Sequence, residues 1–287
     1  MMIFKITYIS GGYKVKGYLA LPEGYDIPLP KLQSWISGFY SADSDLETIR
    51  TAESINRASS DLMSRKWPVF IYCRGGMGNF GSVRTSWLEH FTRHGHIVFA
   101  PCYRGNESGE GRDEFGGADR EDVFSAFRLL QNFPFVDENR ISVMGFSRGS
   151  INAALTAAEL KDTHRLILWS GVSDLAKTYE ERISLRRMLK RVLGGTPARR
   201  PGAYAARSPI QFAERIHCPV LIMHGTSDVQ VDYSHGLTMY HKLMELGMTA
   251  ELHSYSGYGH IFPLAKHLEA VERMFRWIQD PATDRQT

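Results

Sequence analysis

The sequence has no run of 18 uninterrupted apolar residues, so it offers no candidate for a membrane-spanning helix. Its start, Met1-Met2-Ile3-Phe4-Lys5-Ile6-Thr7, lacks the basic segment followed by a long apolar run that marks a secretory leader. Cysteine is scarce. Cys73, Cys102 and Cys218 are an odd number in unrelated surroundings, each within or beside an apolar strand-like run, which favours buried thiols over a disulfide framework. A reducing, cytoplasmic setting is the expectation. An excess of one charge is also missing: 34 Lys and Arg residues against 31 Asp and Glu leave a net charge of +3. That is too little for a surface-wide field that would gather nucleic acid or a membrane. No internal repeat and no low-complexity tract is present, so no repeat architecture is in prospect.

What is there fits one large domain. The 287 residues are 43% hydrophobic and 23% charged, enough to bury a sizeable core without a metal or a disulfide. From residue 67 onward, short β-like runs alternate with helical patterns, which signals a mostly parallel sheet covered by helices. The expected strands are Val69 to Tyr72, His96 to Ala100, Ile141 to Phe146, Leu166 to Trp169, Val220 to His224 and Glu251 to Tyr255. Several are the continuous apolar runs of strands covered on both faces. Ile3 to Ile9 and Tyr13 to Leu21, joined through Gly11-Gly12, read as an antiparallel hairpin at the sheet edge, making eight strands in all. Apolar stripes at helical spacing follow Ser147 (Ile151, Ala154, Leu155, Ala158) and run from Leu264 to Ile278. Residues 25–66, polar and with Pro28 and Pro30, read as an insertion with one short helix near Leu46 to Ile55.

The most informative motif is Gly145-Phe146-Ser147-Arg148-Gly149. It matches G-x-S-x-G, follows an expected strand and opens an expected helix, the context in which a serine sits on a sharp turn with its hydroxyl projecting from the sheet. This predicts the α/β-hydrolase fold with Ser147 as nucleophile. A serine hydroxyl needs a histidine base and a carboxylate to orient it, in the chain order serine, acid, histidine. Asp228 lies on the loop after the strand ending at His224. Asp232, four residues on, is its rival, but it falls where the next helix begins and reads as an N-cap. Among eleven histidines, His260 stands on a glycine-flanked loop between the last strand and the last helix, where the base belongs. His224 reads as a strand-end histidine supporting the acid's loop. The oxyanion of the tetrahedral intermediate requires backbone N–H donors. Arg148 supplies one, and Gly75 and Gly76, in the loop Cys73-Arg74-Gly75-Gly76-Met77-Gly78 after an earlier strand, are candidates for the other. No metal and no cofactor is called for.

These residues resemble the catalytic domain of the prolyl oligopeptidase family, in particular its acylaminoacyl-peptidase-like branch. The resemblance covers nearly everything but residues 25–66. It rests on Gly17-Tyr18-Leu19-Ala20-Leu21-Pro22-Glu23-Gly24-Tyr25, Tyr103-Arg104-Gly105, Gly109-Glu110-Gly111-Arg112, Val136-Asp137-Glu138-Asn139-Arg140-Ile141 and Ser208-Pro209-Ile210. It implies a triad of Ser147, Asp228 and His260, with Gly76 and Arg148 as oxyanion donors. Three residues depart from the family pattern: Arg74 where histidine is usual, Cys102 where asparagine is frequent, and Arg148 where an aromatic or aliphatic residue commonly follows the nucleophile. The family's substrate-screening β-propeller has no room in a chain whose hydrolase pattern begins near residue 3, so strict oligopeptide selection loses support.

Substrate contacts are expected from the insertion, from Tyr103 and Trp169 beside strand ends, and from residues 173–206. That last segment carries an amphipathic helix with Leu185, Met188, Leu189, Val192 and Leu193 on one stripe and Arg186, Arg187, Lys190 and Arg191 facing away. It is either a lid or a packed helix with a solvated basic face, the second being favoured. The reaction expected is acyl transfer to water, with carboxylic esters or small acyl amides preferred as substrates. The alternatives are a peptidase acting on short or N-acylated peptides, and a non-catalytic binding protein on the same fold. A homo-oligomer is left open.

Overall fold

The computed structural model describes residues 1–40, 46–52 and 65–281. Nine strands of these residues form one sheet: β1 (Met2–Ser10), β2 (Tyr13–Leu21), β3 (Thr48–Ala52), β4 (Trp67–Cys73), β5 (Ile97–Pro101), β6 (Val136–Phe146), β7 (Arg165–Trp169), β8 (Val220–Gly225) and β9 (Ala250–Tyr255). Their spatial order is β3-β1-β2-β5-β4-β6-β7-β8-β9. From β5 to β9 all neighbours are parallel. The hairpin β1–β2 joins β5 antiparallel. Its turn fits the residues, since Gly11 and Gly12 both have positive φ, as a two-residue hairpin turn of this hand requires.

The helices are α1 (Leu29–Tyr40), α2 (Thr85–Thr92), α3 (Arg120–Gln131), α4 (Gly149–Glu159), α5 (Leu175–Glu181), α6 (Ile183–Leu193), α7 (Pro201–Ala205), α8 (Tyr233–Glu245) and α9 (Leu264–Gln279). Strand side chains alternate between two cores. Val69, Ile71, Val143, Leu166, Leu168, Val220 and Ile222 face the layer holding α1, α3, α4 and α8. Phe70, Tyr72, Met144, Ile167, Trp169, Leu221 and Met223 face α2 and α9. Burial on both faces explains the unbroken apolar runs, each such side chain contributing roughly 1.5–3 kcal/mol. A third cluster, including Ile151, Val172, Leu175, Leu189 and Tyr204, joins α5 to α7 to the domain at the carboxyl end of the sheet.

Two expectations are corrected. Where a helix was expected near Leu46 to Ile55, Thr48–Ala52 is a strand paired antiparallel with β1. It takes the sheet edge, puts the hairpin one place in and makes the count nine, not eight. Residues 53–55 of that expected helix lie outside the described residues. The insertion's described helix is instead α1, which begins with Pro30 in its first turn, where a missing N–H costs nothing.

The connection from β4 leads to β5 on one side, and the chain then returns to place β6 on the other. That reversal opens a crevice at the carboxyl ends of the strands, with Cys73 of β4 opposite Gly145 of β6.

Candidate active site

Ser147 occupies the turn between β6 and α4 at φ 56°, a left-handed conformation rare for a residue with a side chain. The turn is sharp because its flanks are bare. A Cβ on Gly145 would lie 2.4 Å from the Ser150 Cα, and one on Gly149 would lie 2.0 Å from the Cys73 carbonyl oxygen. Ser147 N–H donates to the Trp169 carbonyl at 2.9 Å, tying the turn to the next strand. Such strain persists only where surrounding contacts hold it, and it lifts the hydroxyl clear of the sheet.

His260 and Asp228 come from the loops after β9 and β8. The imidazole Nδ1 of His260 is 2.8 Å from Asp228 Oδ2, and both groups are buried. The other carboxylate oxygen accepts the N–H groups of Gln230 (2.8 Å) and Val231 (3.0 Å). Burial works against the charge on Asp228. Hydrogen bonds from His224 and His260, the His260 charge and the Val231 N–H outweigh it and hold the carboxyl well below the usual carboxylate range. His224 is fully buried, with Nε2 2.9 Å from the Val231 carbonyl oxygen and 3.4 Å from Asp228 Oδ2, and so braces the loop that carries Asp228. Asp232 caps α8 by accepting the Ser234 N–H and takes no part in the pairing with His260. The two loops are tied by Ser227 N–H to the Tyr258 carbonyl, 3.0 Å. Gly225 permits this approach, because a Cβ there would sit 2.2 Å from that same oxygen.

The loop after β4 is held by two arginines. Arg74 donates through Nη1 to the carbonyls of Gly75 (3.2 Å) and Gly76 (3.3 Å), and through Nη2 to that of Cys102 (2.7 Å). Arg148 donates through Nη1 to the Gly76 carbonyl at 2.9 Å. Its Nη2 is 2.9 Å from Asp113 and 2.8 Å from Asp119. Burial disfavours the Arg148 charge, but the two carboxylates raise its pKa above the ordinary arginine value. Asp119, fully buried, also accepts from the N–H groups of Glu114, Gly116 and Gly117 and from Asn152. Burial pushes its pKa up, yet Arg148, Asn152 and the N–H groups bring it below the usual carboxylate range. The family departures Arg74 and Arg148 are therefore parts of one buried ion cluster, in which Asp113 and Asp119 offset charge that would be costly to bury alone. Asp113, Asp119 and Asn152 were missed in the sequence; a charged residue directly after Ser147 was the signal that it needed acidic partners.

A cavity of about 1010 Å³ opens at this edge, with Ser147, His260, Gly75, Gly76 and Arg148 in its wall. Asp228 lies behind His260. Tyr103 and Trp169, expected to touch substrate, do not line it. Tyr103 is 0% exposed, its ring between the guanidinium groups of Arg74 (4.6 Å) and Arg148 (4.9 Å). Trp169 is 1% exposed and stacks on Trp87 and His267 beneath the site. Their strand-end positions put them under the turn, not above it. On α6 the apolar stripe divides: Leu189 and Leu193 are buried, whereas Leu185 and Met188 line the cavity. Arg191, expected to face away with its basic neighbours, lines the cavity too.

Residues 82–284 match the model of the prolyl oligopeptidase family. Over 279 residues the chain is 44% identical to the uncharacterized peptidase YtmA of Bacillus subtilis (strain 168), covering 97% of this chain and 93% of that protein. It is 26% identical over 234 residues to dipeptidyl-peptidase 5 of Porphyromonas endodontalis, covering 75% of this chain and 33% of that enzyme. The fold is similar to that of Pyrococcus horikoshii acylaminoacyl peptidase, with a TM-score of 0.73 at 17% identity over 96% of this chain and 41% of that one. The chain thus spans about a third of that dipeptidyl peptidase and two fifths of that acylaminoacyl peptidase, but nearly all of YtmA. With an α/β-hydrolase sheet, a strained serine turn and a family match across more than two thirds of its length, the chain belongs to the prolyl oligopeptidase family.

Proposed function

We propose that the protein is a serine peptidase that cleaves short or N-acylated peptides through an acyl-enzyme. The observation that carries this reading is the strained Ser147 turn sharing one cavity with a histidine whose far nitrogen lies 2.8 Å from a buried, charged carboxylate. Ser147 Oγ attacks the scissile carbonyl while His260 Nε2 takes its proton, and Asp228 holds the ring in that orientation and stabilises the imidazolium. The developing oxyanion accepts from the N–H groups of Arg148 and Gly76, with Gly75 shaping the loop. A trans peptide points its C=O and N–H in opposite directions. By gripping the Gly75 carbonyl, Arg74 therefore turns the Gly76 N–H away from the buried cluster. His260 returns the proton to the departing amine, and a water deprotonated by His260 then releases the acyl group and restores Ser147.

The sequence alone favoured esters. Family membership and the peptidase relatives support peptides instead. The segment α5 to α7 acts in this reading as a cap whose α6 forms one wall of the substrate site.

The test compares an N-acetyl-amino-acid anilide and an N-acetyl dipeptide with the matching nitrophenyl ester, in the wild type and in Ser147→Ala. Turnover of anilide and peptide that disappears in Ser147→Ala supports the proposal. Ester turnover with anilide and peptide untouched would make the protein an esterase. Failure of a fluorophosphonate probe to label Ser147 in the folded protein would remove the hydrolase reading altogether.

A further inference from the structure

The cavity wall is unbalanced in charge. Arg84, Arg112, Arg182 and Arg191 line it, drawn from three separate segments: the turn before α2, the loop after β5, and the cap helix with its preceding residue. Asp113 is the sole carboxylate among the described lining residues, and it is already committed to Arg148. Among the described residues none of the four arginines forms a salt bridge. Arg182 reaches the Gln230 carbonyl and Arg84 lies over the Trp87 ring, contacts that leave both charges uncompensated. Arg84, Arg112 and Arg191 are exposed. What sets these four apart is that they converge on one opening; on the same helix Arg186 is turned to Glu180, 2.9 Å away, and does not line the cavity. With a net charge of only +3 over the whole chain, four unneutralised arginines around one opening are a local feature.

Resting on the peptidase reading above, we propose that this cavity selects short acylated peptides carrying a free carboxylate, received by Arg112 and Arg191 within the field of Arg84 and Arg182. A guanidinium fork matches a carboxylate in both shape and charge. A cleft with low-dielectric walls concentrates the field of charges around its mouth. The rest of the wall suits a short peptide's side chains: Leu185, Met188 and the half-exposed Ile261 are apolar, and Phe80 is 94% exposed beside the oxyanion loop. A protonated amine in the same position would meet four like charges.

The experiment measures protection of Ser147 from an uncharged fluorophosphonate probe. The competitors are N-acetyl-Phe-Ala with a free C-terminal carboxylate, its C-terminal amide, N-acetyl-Glu-Ala amide, and Phe-Ala amide with a free amine. At low salt the free acid is expected to protect at about tenfold lower concentration than its amide, the effect of a few partly exposed ion pairs acting together. The ratio should shrink to about threefold or less at high ionic strength, and likewise in Arg112→Gln/Arg191→Gln. Protection by the glutamyl amide equal to that of the free acid assigns the carboxylate to a side chain and also supports the proposal. Equal protection by acid and neutral amide, or stronger protection by the free amine, overturns it. Absence of labelling without any competitor would instead sink the peptidase reading on which it rests.

Discussion

The guanidinium of Arg148 donates to the carbonyl of Gly76 at 2.9 Å, across 72 residues of sequence, joining the residue after Ser147 to the loop that faces it. The backbone of Arg148 and the backbone around Gly76 are the two proposed sources of oxyanion donors, so one side chain sets the distance between them. Replacing Arg148 by Met keeps the unbranched stem but leaves Asp113 and Asp119 buried without their cation. The expected result is a loss of about 3 kcal/mol or more of stability and a fall in kcat of about 10- to 100-fold with KM changed less than threefold. Arg148→Lys, which keeps the charge but not the fork, should recover much of the stability and little of the kcat. A variant that folds and turns over normally would show that the cluster is structural only.

Ser147 at φ 56° predicts a stability gain from removing its side chain. Ser147→Gly should raise stability by about 1 kcal/mol, because glycine adopts this conformation without the clash that any Cβ brings. Ser147→Ala, which keeps the Cβ, should not show that gain, and both variants should be inactive. Thermal denaturation of the two side by side checks this; equal stability would mean that the turn is not strained.

How much of this could be read in advance depended on the range of the contacts. The strand, turn and helix around Ser147 are local, and G-x-S-x-G with its apolar flanks carries them. His260 was legible from its glycine-flanked loop, and Asp228 from its strand end. Thr48–Ala52 was not: its polar alternation is short, and only pairing with β1 makes it a strand. Tyr103 and Trp169 were misjudged because a strand end gives a residue's height on the sheet but not the direction of its side chain. Nor could the partners of Arg148 be read, since Gly76 after β4, Asp113 and Asp119 after β5 and Arg148 after β6 meet only once those three strands lie side by side.

Two buried histidines make stability depend on pH. Burial lowers the pKa of His96 to about 3, and burial together with the charges of His90 and Arg84 lowers that of His267 to about 4. In the unfolded chain each binds a proton below about pH 6.5. Between those values the unfolded state holds the extra protons, so stability rises with pH through the window and is lost as pH falls through it. Each group contributes a slope of up to about 1.4 kcal/mol per pH unit. Melting temperatures between pH 7 and 4.5 should fall with acid, and His267→Phe, which keeps an aromatic ring against Trp87 and Trp169, should flatten the curve. An unchanged slope in that variant would refute the assignment.

Asp228 and Asp232 stand four residues apart on one loop, and their roles separate by experiment. Asp228 accepts two backbone N–H groups on one oxygen and meets His260 on the other. An amide there presents an N–H₂ to groups that need an acceptor and leaves His260 free to take the wrong tautomer. Asp228→Asn should therefore lower kcat by about 10³- to 10⁴-fold. Its stability should be compared above pH 4: a carboxyl held below its unfolded value contributes stability there that is lost as pH falls, so the variant should be less stable than the wild type at pH 7 and approach it in acid. Asp232→Ala removes only a helix cap. It should cost about 1 kcal/mol and leave kcat within twofold of the wild type. Were the two variants to exchange phenotypes, Asp232 would be the residue acting on the histidine and the pairing at 2.8 Å would have no catalytic meaning.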